Sequence, residues 1–191
     1  MPPACVWDEL VLRYSERERA YHTIRHLEEC FGWFEQVRTL AARPGEISFA
    51  LFYHDAIYDT HAADNEERSA DLATHILSEY VRGDSDAERI HSLILATKHD
   101  AEPEDGDARL LVDIDLSILA AAPARFDEYE RDIRKEYEWV GIEDFRKSRR
   151  RVLERFLTRP AIYGSPIFRE RLEAAARSNL RRSIANIDLI G

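Results

Sequence analysis

Cysteine is scarce in this chain: only Cys5 and Cys30 occur among 191 residues, too few for a disulfide framework and in keeping with a reducing compartment. Glycine and proline are sparse as well, at seven each, and no Ser/Gly-rich, low-complexity or fixed-period stretch divides the sequence. A single domain over residues 1–191 is the expectation, at a length that buries a sizeable core. No run of about 18 apolar residues is present, and the stretch Met1 to Asp8 lacks the basic start and apolar run of a signal peptide. The chain therefore reads as soluble and cytoplasmic, without a membrane partner. Positive charge is not in excess either. A formal net charge of −10 argues against nonspecific binding of nucleic acid, because such proteins cluster Lys and Arg to displace counterions from phosphates.

No convincing alternating strand stands out. Apolar residues instead recur three and four apart over 5–14, 22–42, 46–58, 65–81, 85–99, 108–120, 123–139, 142–158 and 165–186. Turn chemistry places the breaks at Arg43-Pro44-Gly45, Arg82-Gly83-Asp84, Glu102-Pro103-Glu104-Asp105-Gly106 and Arg159-Pro160. The spacing predicts an all-α bundle of roughly eight or nine helices with short connections.

Within that helical pattern lie a histidine pair, His22 and His26, a doublet, His54-Asp55, and two later aspartates, Asp113 and Asp115. His22 and His26 are four apart and share a helix face. His54 and Asp55, if helical, project about 100° apart, so both can lean toward one ion in a crevice between helices. Asp55 follows the apolar run Ala50-Leu51-Phe52-Tyr53, where an unpaired carboxylate would be costly. Asp113 and Asp115 cannot point the same way on a helix, so only one of them faces such an ion. Two histidines and two carboxylates form a mixed nitrogen and oxygen set suited to one octahedral divalent ion, Mn, Fe, Mg, Ni or Co, with water positions left over. Bound water of lowered pKa is then the nucleophile, and Asp55 is placed to orient it.

Glu66 and Glu67 follow Asn65. Acids in a first helical turn need no chemistry to explain them, but a leaving oxygen needs a proton donor, and Glu66 is the candidate for that acid or base. The basic run Arg146 to Arg151 reads as a solvated helix face, with the alternative that a guanidinium in it holds phosphate oxygens.

Four words in this chain resemble the HD superfamily of metal-dependent phosphohydrolases, and one small branch of it in particular. They are Tyr21-His22-x-x-x-His26, His54-Asp55-x-x-Tyr58-Asp59, Asn65-Glu66-Glu67-x-Ser69-Ala70 and Asp113-x-Asp115-Leu116-Ser117-Ile118-Leu119. The likeness continues through Ile133 to Tyr137, Arg149-x-x-Val152-Leu153, Ile162-Tyr163 and Ala176-Arg177-x-Asn179-Leu180, and so spans nearly the whole chain. The resemblance implies an HD-type bundle that binds one divalent metal and hydrolyses a small phosphorylated metabolite, a nucleotide among the candidates. It implies His26, His54 and Asp55 as ligands, favours Asp115 over Asp113 as the fourth, and sets His22 beside them in the pocket. His99 falls where HD proteins place a histidine that contacts substrate phosphate or, in two-metal relatives, a second ion. Arg149 matches the family's arginine, although Ser148 stands where glycine is usual, and Arg134 is the second choice for holding phosphate. A noncatalytic nucleotide- or metal-sensing relative is the competing expectation. A mixed-valent di-iron oxygenase on the same fold would need more ligands, and no histidine follows His99.

Overall fold

The structure is a computed structural model that describes residues 4–80, 84–101 and 103–189. It is all-helical, as the periodicity predicts. Among the described residues there are nine α-helices and no strand: α1 (Ala4–Arg13), α2 (Ile24–Val37), α3 (Pro44–Tyr53), α4 (Asn65–Tyr80), α5 (Asp84–Ala96), α6 (Gly106–Asp115), α7 (Pro123–Glu136), α8 (Ile142–Thr158) and α9 (Pro166–Ala185). Short 3-10 turns at Arg38–Leu40, Leu116–Ala120 and Ile187–Leu189 accompany them. None of these helices is long and apolar enough to cross a membrane. The breaks expected at Arg82-Gly83 and at Glu102 lie outside the described residues. The break expected at Arg43-Pro44-Gly45 falls between Leu40 and α3, which Pro44 begins, since the first position of a helix has no use for the missing N–H.

The chain divides into two compact units, residues 1–115 and 116–191. In the first, α3 is packed by α2, α4, α5 and α6. Its ten residues, PGEISFALFY, are apolar on nearly every side, as a helix surrounded by others requires, and Ile47, Ala50 and Leu51 are fully buried. Phe34, Ile94, Leu111 and Ile114 complete this core from α2, α5 and α6. Asp107, in the first turn of α6, accepts the backbone N–H groups of Ala42 and Arg43 at 2.8 Å each, just ahead of α3. That carboxylate ties the start of α6 to the start of α3, the two helices whose far ends carry Asp115 and His54.

The second unit is built from α7, α8 and α9 around Phe126, Leu153, Phe168 and Leu180. The Asn179 amide donates to the carbonyls of Leu119 and Ala121 at 3.0 and 2.8 Å. A charge pair is buried here: the Arg149 guanidinium donates to Glu130 at 2.5 and 3.3 Å, and the Ser183 hydroxyl donates to the same carboxylate at 3.0 Å.

Candidate metal centre

Three helix ends carry the residues that matter. His26 lies in the first turn of α2, His54 immediately follows α3, and Asp115 is the last residue of α6. The periodic pattern extends a helix through 58, but α3 stops at Tyr53. His54 still has helical dihedrals (φ −57°, ψ −36°) and donates its N–H to Ala50 at 2.8 Å, whereas Asp55 sits in the turn that follows. The doublet therefore reaches one point from a helix end and its turn, not from two faces of a continuous helix.

The His54 ring has its tautomer fixed by the main chain. Its Nδ1 lies 2.8 Å from the Leu51 carbonyl, which can only accept, so Nδ1 carries a proton and Nε2 of the neutral ring is a bare lone pair. That Nε2 is 3.1 Å from Nε2 of His26. Both rings are almost wholly buried. Two carboxylates close on the pair. An Asp115 oxygen lies 3.3 Å from His26 Nε2 and 3.6 Å from His54 Nε2, and an Asp55 oxygen lies 3.5 and 3.1 Å from the same atoms. Adjacent donors around an ion with bonds of about 2.1 Å stand about 3.0 Å apart in an octahedron and about 3.4 Å apart in a tetrahedron. His26, His54 and Asp115 thus form a group that can hold a metal ion, with Asp55 against the same two nitrogens.

Asp115, not Asp113, enters the group. The two are separated by about 200° around α6, and Asp113, also buried, is not one of the three residues of that group. The other oxygen of Asp115 lies 2.9 Å from His99 Nε2. His99 takes a left-handed backbone conformation, φ 57°, just past the end of α5. An L side chain held there costs on the order of 1 kcal/mol, and the conformation places the imidazole on the Asp115 carboxylate. His22 stacks on Tyr58, ring centroids 4.1 Å apart, with its own ring centroid 5.8 Å from that of His26. Glu66 is half-buried in the first turn of α4. Burial, joined by the negative charges of Asp55 and Glu67, pushes its pKa up against its own backbone N–H and the Lys98 ammonium. Neighbouring Glu67 is engaged by Lys98 in an ion pair.

The two arginines expected to hold phosphate belong to the second unit and are engaged there. Arg149 is buried on Glu130 with Tyr129 beneath its guanidinium. Arg134 donates to the carbonyls of Tyr137 and Val140 at 2.6 and 3.1 Å and lies over Phe145.

The residue that sequence reasoning passes over is Arg19. It sits in the charged run Glu16-Arg17-Glu18-Arg19, which looks solvated, yet its side chain is completely buried. No local periodicity marks it. The words Asn65 and Ser69, by contrast, acquire a concrete job: Asn65 exchanges hydrogen bonds with the backbone of Asp59, and Ser69 with that of Ile57, so α4 fastens the turn that bears Asp55.

The electrostatics follow from crowding four titratable groups. Burial alone lowers the pKa of His26 and of His54. For His26 the neighbouring Cys30, Tyr21, Asp115 and Asp55 outweigh it, and for His54 Asp55 and Asp115 do, so both are raised well above the ordinary value. Burial pushes Asp55 and Asp115 up, but the facing histidines hold both well below the usual carboxylate range. In the metal-free protein, raised histidines stabilise the fold below the unfolded value of about 6.5 and lose that contribution as pH rises through the folded pKa. Depressed aspartates contribute above about 3.9 and lose it as pH falls. An entering cation must displace the histidine protons. Affinity for Mn²⁺ or Co²⁺ is therefore expected to rise with pH until the raised histidine values are passed, by up to about tenfold per unit for each proton released. Calorimetry in buffers of different ionisation enthalpy counts those protons, and an affinity flat with pH would contradict the assignment.

No family model matches the chain, and no curated protein or solved structure matches it.

Proposed function

We propose that this chain is a metal-dependent phosphohydrolase that cleaves a small phosphate ester, with nucleotides among its candidate substrates. The observation that carries the reading is the pair of buried Nε2 atoms facing each other at 3.1 Å with two carboxylates against them. Two lone pairs at that distance repel unless a proton or a cation lies between them, and four costly groups converge where one divalent ion would satisfy all of them. The likeness of the four sequence words to the HD superfamily supports the same conclusion. The scarcity of cysteine in the sequence fits a cytoplasmic setting.

His26, His54, Asp115 and Asp55 would hold the ion, and Mn, Fe, Mg, Ni and Co all suit that donor set. When bound, the ion supplies water of lowered pKa and polarises a phosphoryl oxygen. Asp55 orients that water. Glu66, kept nearer its protonated form than an ordinary glutamate, gives a proton to the leaving oxygen. His99 fixes which oxygen of Asp115 faces the histidines, and the stacked His22 and Tyr58 rings form a wall beside them.

The test is a screen of phosphorylated metabolites against protein loaded in turn with each of the five metals. The expected result is metal-dependent release of phosphate or of a nucleotide product. Glu66→Gln should lower kcat by about 10²- to 10⁴-fold with poor leaving groups and much less with nitrophenolate, which leaves without a proton. Stoichiometric metal with no turnover of any ester would point instead to a noncatalytic sensor.

A further inference from the structure

The candidate metal centre is made of helix ends and a turn, and such segments do not hold their relative positions by themselves. Three backbone carbonyls around it converge on one side chain. Arg19 donates through Nη1 to Asp55 O at 2.7 Å and to His22 O at 3.1 Å, and through Nη2 to Ala56 O at 3.2 Å. Its Nε donates to Glu16 at 3.0 Å. The guanidinium also lies near two aromatic rings, 5.1 Å from the Tyr14 centroid and 5.4 Å from that of Tyr58. Tyr14 in turn donates its hydroxyl to Phe52 O, in the last turn of α3.

We infer that Arg19 is the positioning residue of the metal centre, a buried clamp that fixes the approach to α2 and the turn after α3 in one register. The inference rests on the metal-centre reading above. The carbonyl of His22 is four residues before His26, and the carbonyls of Asp55 and Ala56 belong to the turn that aims the Asp55 carboxylate. One guanidinium joining both sets the separation of His26 from Asp55. The N–H of Ile57, which a continued α3 would give to Tyr53 O, goes to Ser69 instead, and the carbonyls of Asp55 and Ala56 are taken by Arg19, so the helix does not resume beyond the turn. The planar fork of arginine meets three carbonyls and a carboxylate at once, which an ammonium cannot do with the same geometry. A fully buried guanidinium without such partners would be strongly unfavourable.

The experiment uses the full chain with Arg19→Met and Arg19→Lys, read by circular dichroism, by amide exchange of the metal-free protein, and by titration with Co²⁺ followed in the visible. In Arg19→Met the helical signal should persist, while the amides of His54, Ala56 and Ile57 exchange at least about tenfold faster and the α5 core keeps its protection. Co²⁺ should bind about 10- to 100-fold more weakly, with a visible band altered in position or intensity because the donors no longer meet at one point. Arg19→Lys should recover part of both effects. Wild-type cobalt affinity and spectrum in Arg19→Met overturn the clamp. Unchanged exchange at residues 54–57 overturns it equally, and does so even if the wild-type chain takes up no cobalt, a result that would separately defeat the metal-centre reading. Should Arg19→Met fail to fold, the same two readouts on Arg19→Lys decide: cobalt binding and exchange identical to wild type reject the inference.

Discussion

Asp115→Ala should abolish metal-dependent turnover, while Asp113→Asn should keep its bound metal. The two positions are separated by a single residue in the sequence word Asp113-Ile114-Asp115, and it is Asp115 that stands within 3.6 Å of both histidine nitrogens. Removing it takes away an anionic donor and leaves two imidazoles with Asp55 alone. An ion at such a centre supplies several kcal/mol of transition-state stabilisation, so its loss should lower kcat/KM by about 10³-fold or more. The helical fold should persist, because α6 is anchored through Ile114, Leu111 and the Asp107 bonds and not through its last carboxylate. Metal analysis, circular dichroism and kinetics on the same preparations separate the outcomes. Full metal occupancy in Asp115→Ala, or lost occupancy in Asp113→Asn, would reverse the assignment.

The second large effect lies in the other unit and concerns stability alone. Arg149→Met should cost about 3–5 kcal/mol, the usual penalty for stranding one partner of a buried ion pair. Glu130 is 6 % exposed and would be left with Ser183 as its remaining donor among the bonds described. That loss is a large share of the 5–15 kcal/mol that typically holds a domain together, so urea denaturation should show an obvious shift in midpoint. The double change Arg149→Met with Glu130→Met removes both charges and should recover most of the deficit, since well-packed apolar replacements of buried pairs are often close to neutral. If the single variant unfolds like wild type and loses only substrate affinity, Arg149 is a phosphate ligand as its sequence word suggests, and the pair with Glu130 is incidental.

Apart from the surrounded α3, the helices were legible because they bury one face, and the spacing of Phe145, Leu153 and Phe156 records that face in α8. The same spacing held a sign about Arg149 that the basic run hides: counting four from Phe145 and four more to Leu153 places Arg149 on the buried side, apart from the exposed Lys147, Ser148 and Arg151. Helix ends were less legible. Ala56, Ile57 and Tyr58 continue the apolar rhythm of α3, yet the chain turns there because side chains distant in sequence, Arg19 and Ser69, capture the backbone groups a helix would need. Likewise α6 tightens into a 3-10 turn at Leu116–Ala120, inside a segment whose pattern reads as one helix. In the centre itself, spacing leaves His22 and His26 on one face, and it is the resemblance that implies His26, His54 and Asp55. A spacing of two shows that Asp113 and Asp115 diverge but not which one faces inward, for that depends on how α6 is rotated against α2 and α3.

His54 and Asp115 owe their aim to different kinds of anchor. The Nδ1 of His54 is held by the Leu51 carbonyl, a group that every amino acid possesses, so any substitution at position 51 that preserves the helix leaves this ring where it is. Asp115 depends on the side chain of His99, which a single nucleotide change can remove. Over evolutionary time the His54 ring is therefore shielded from drift in its surroundings, and Asp115 must change in concert with its neighbour. Among relatives of this chain, variation in the centre's geometry would enter through the carboxylate.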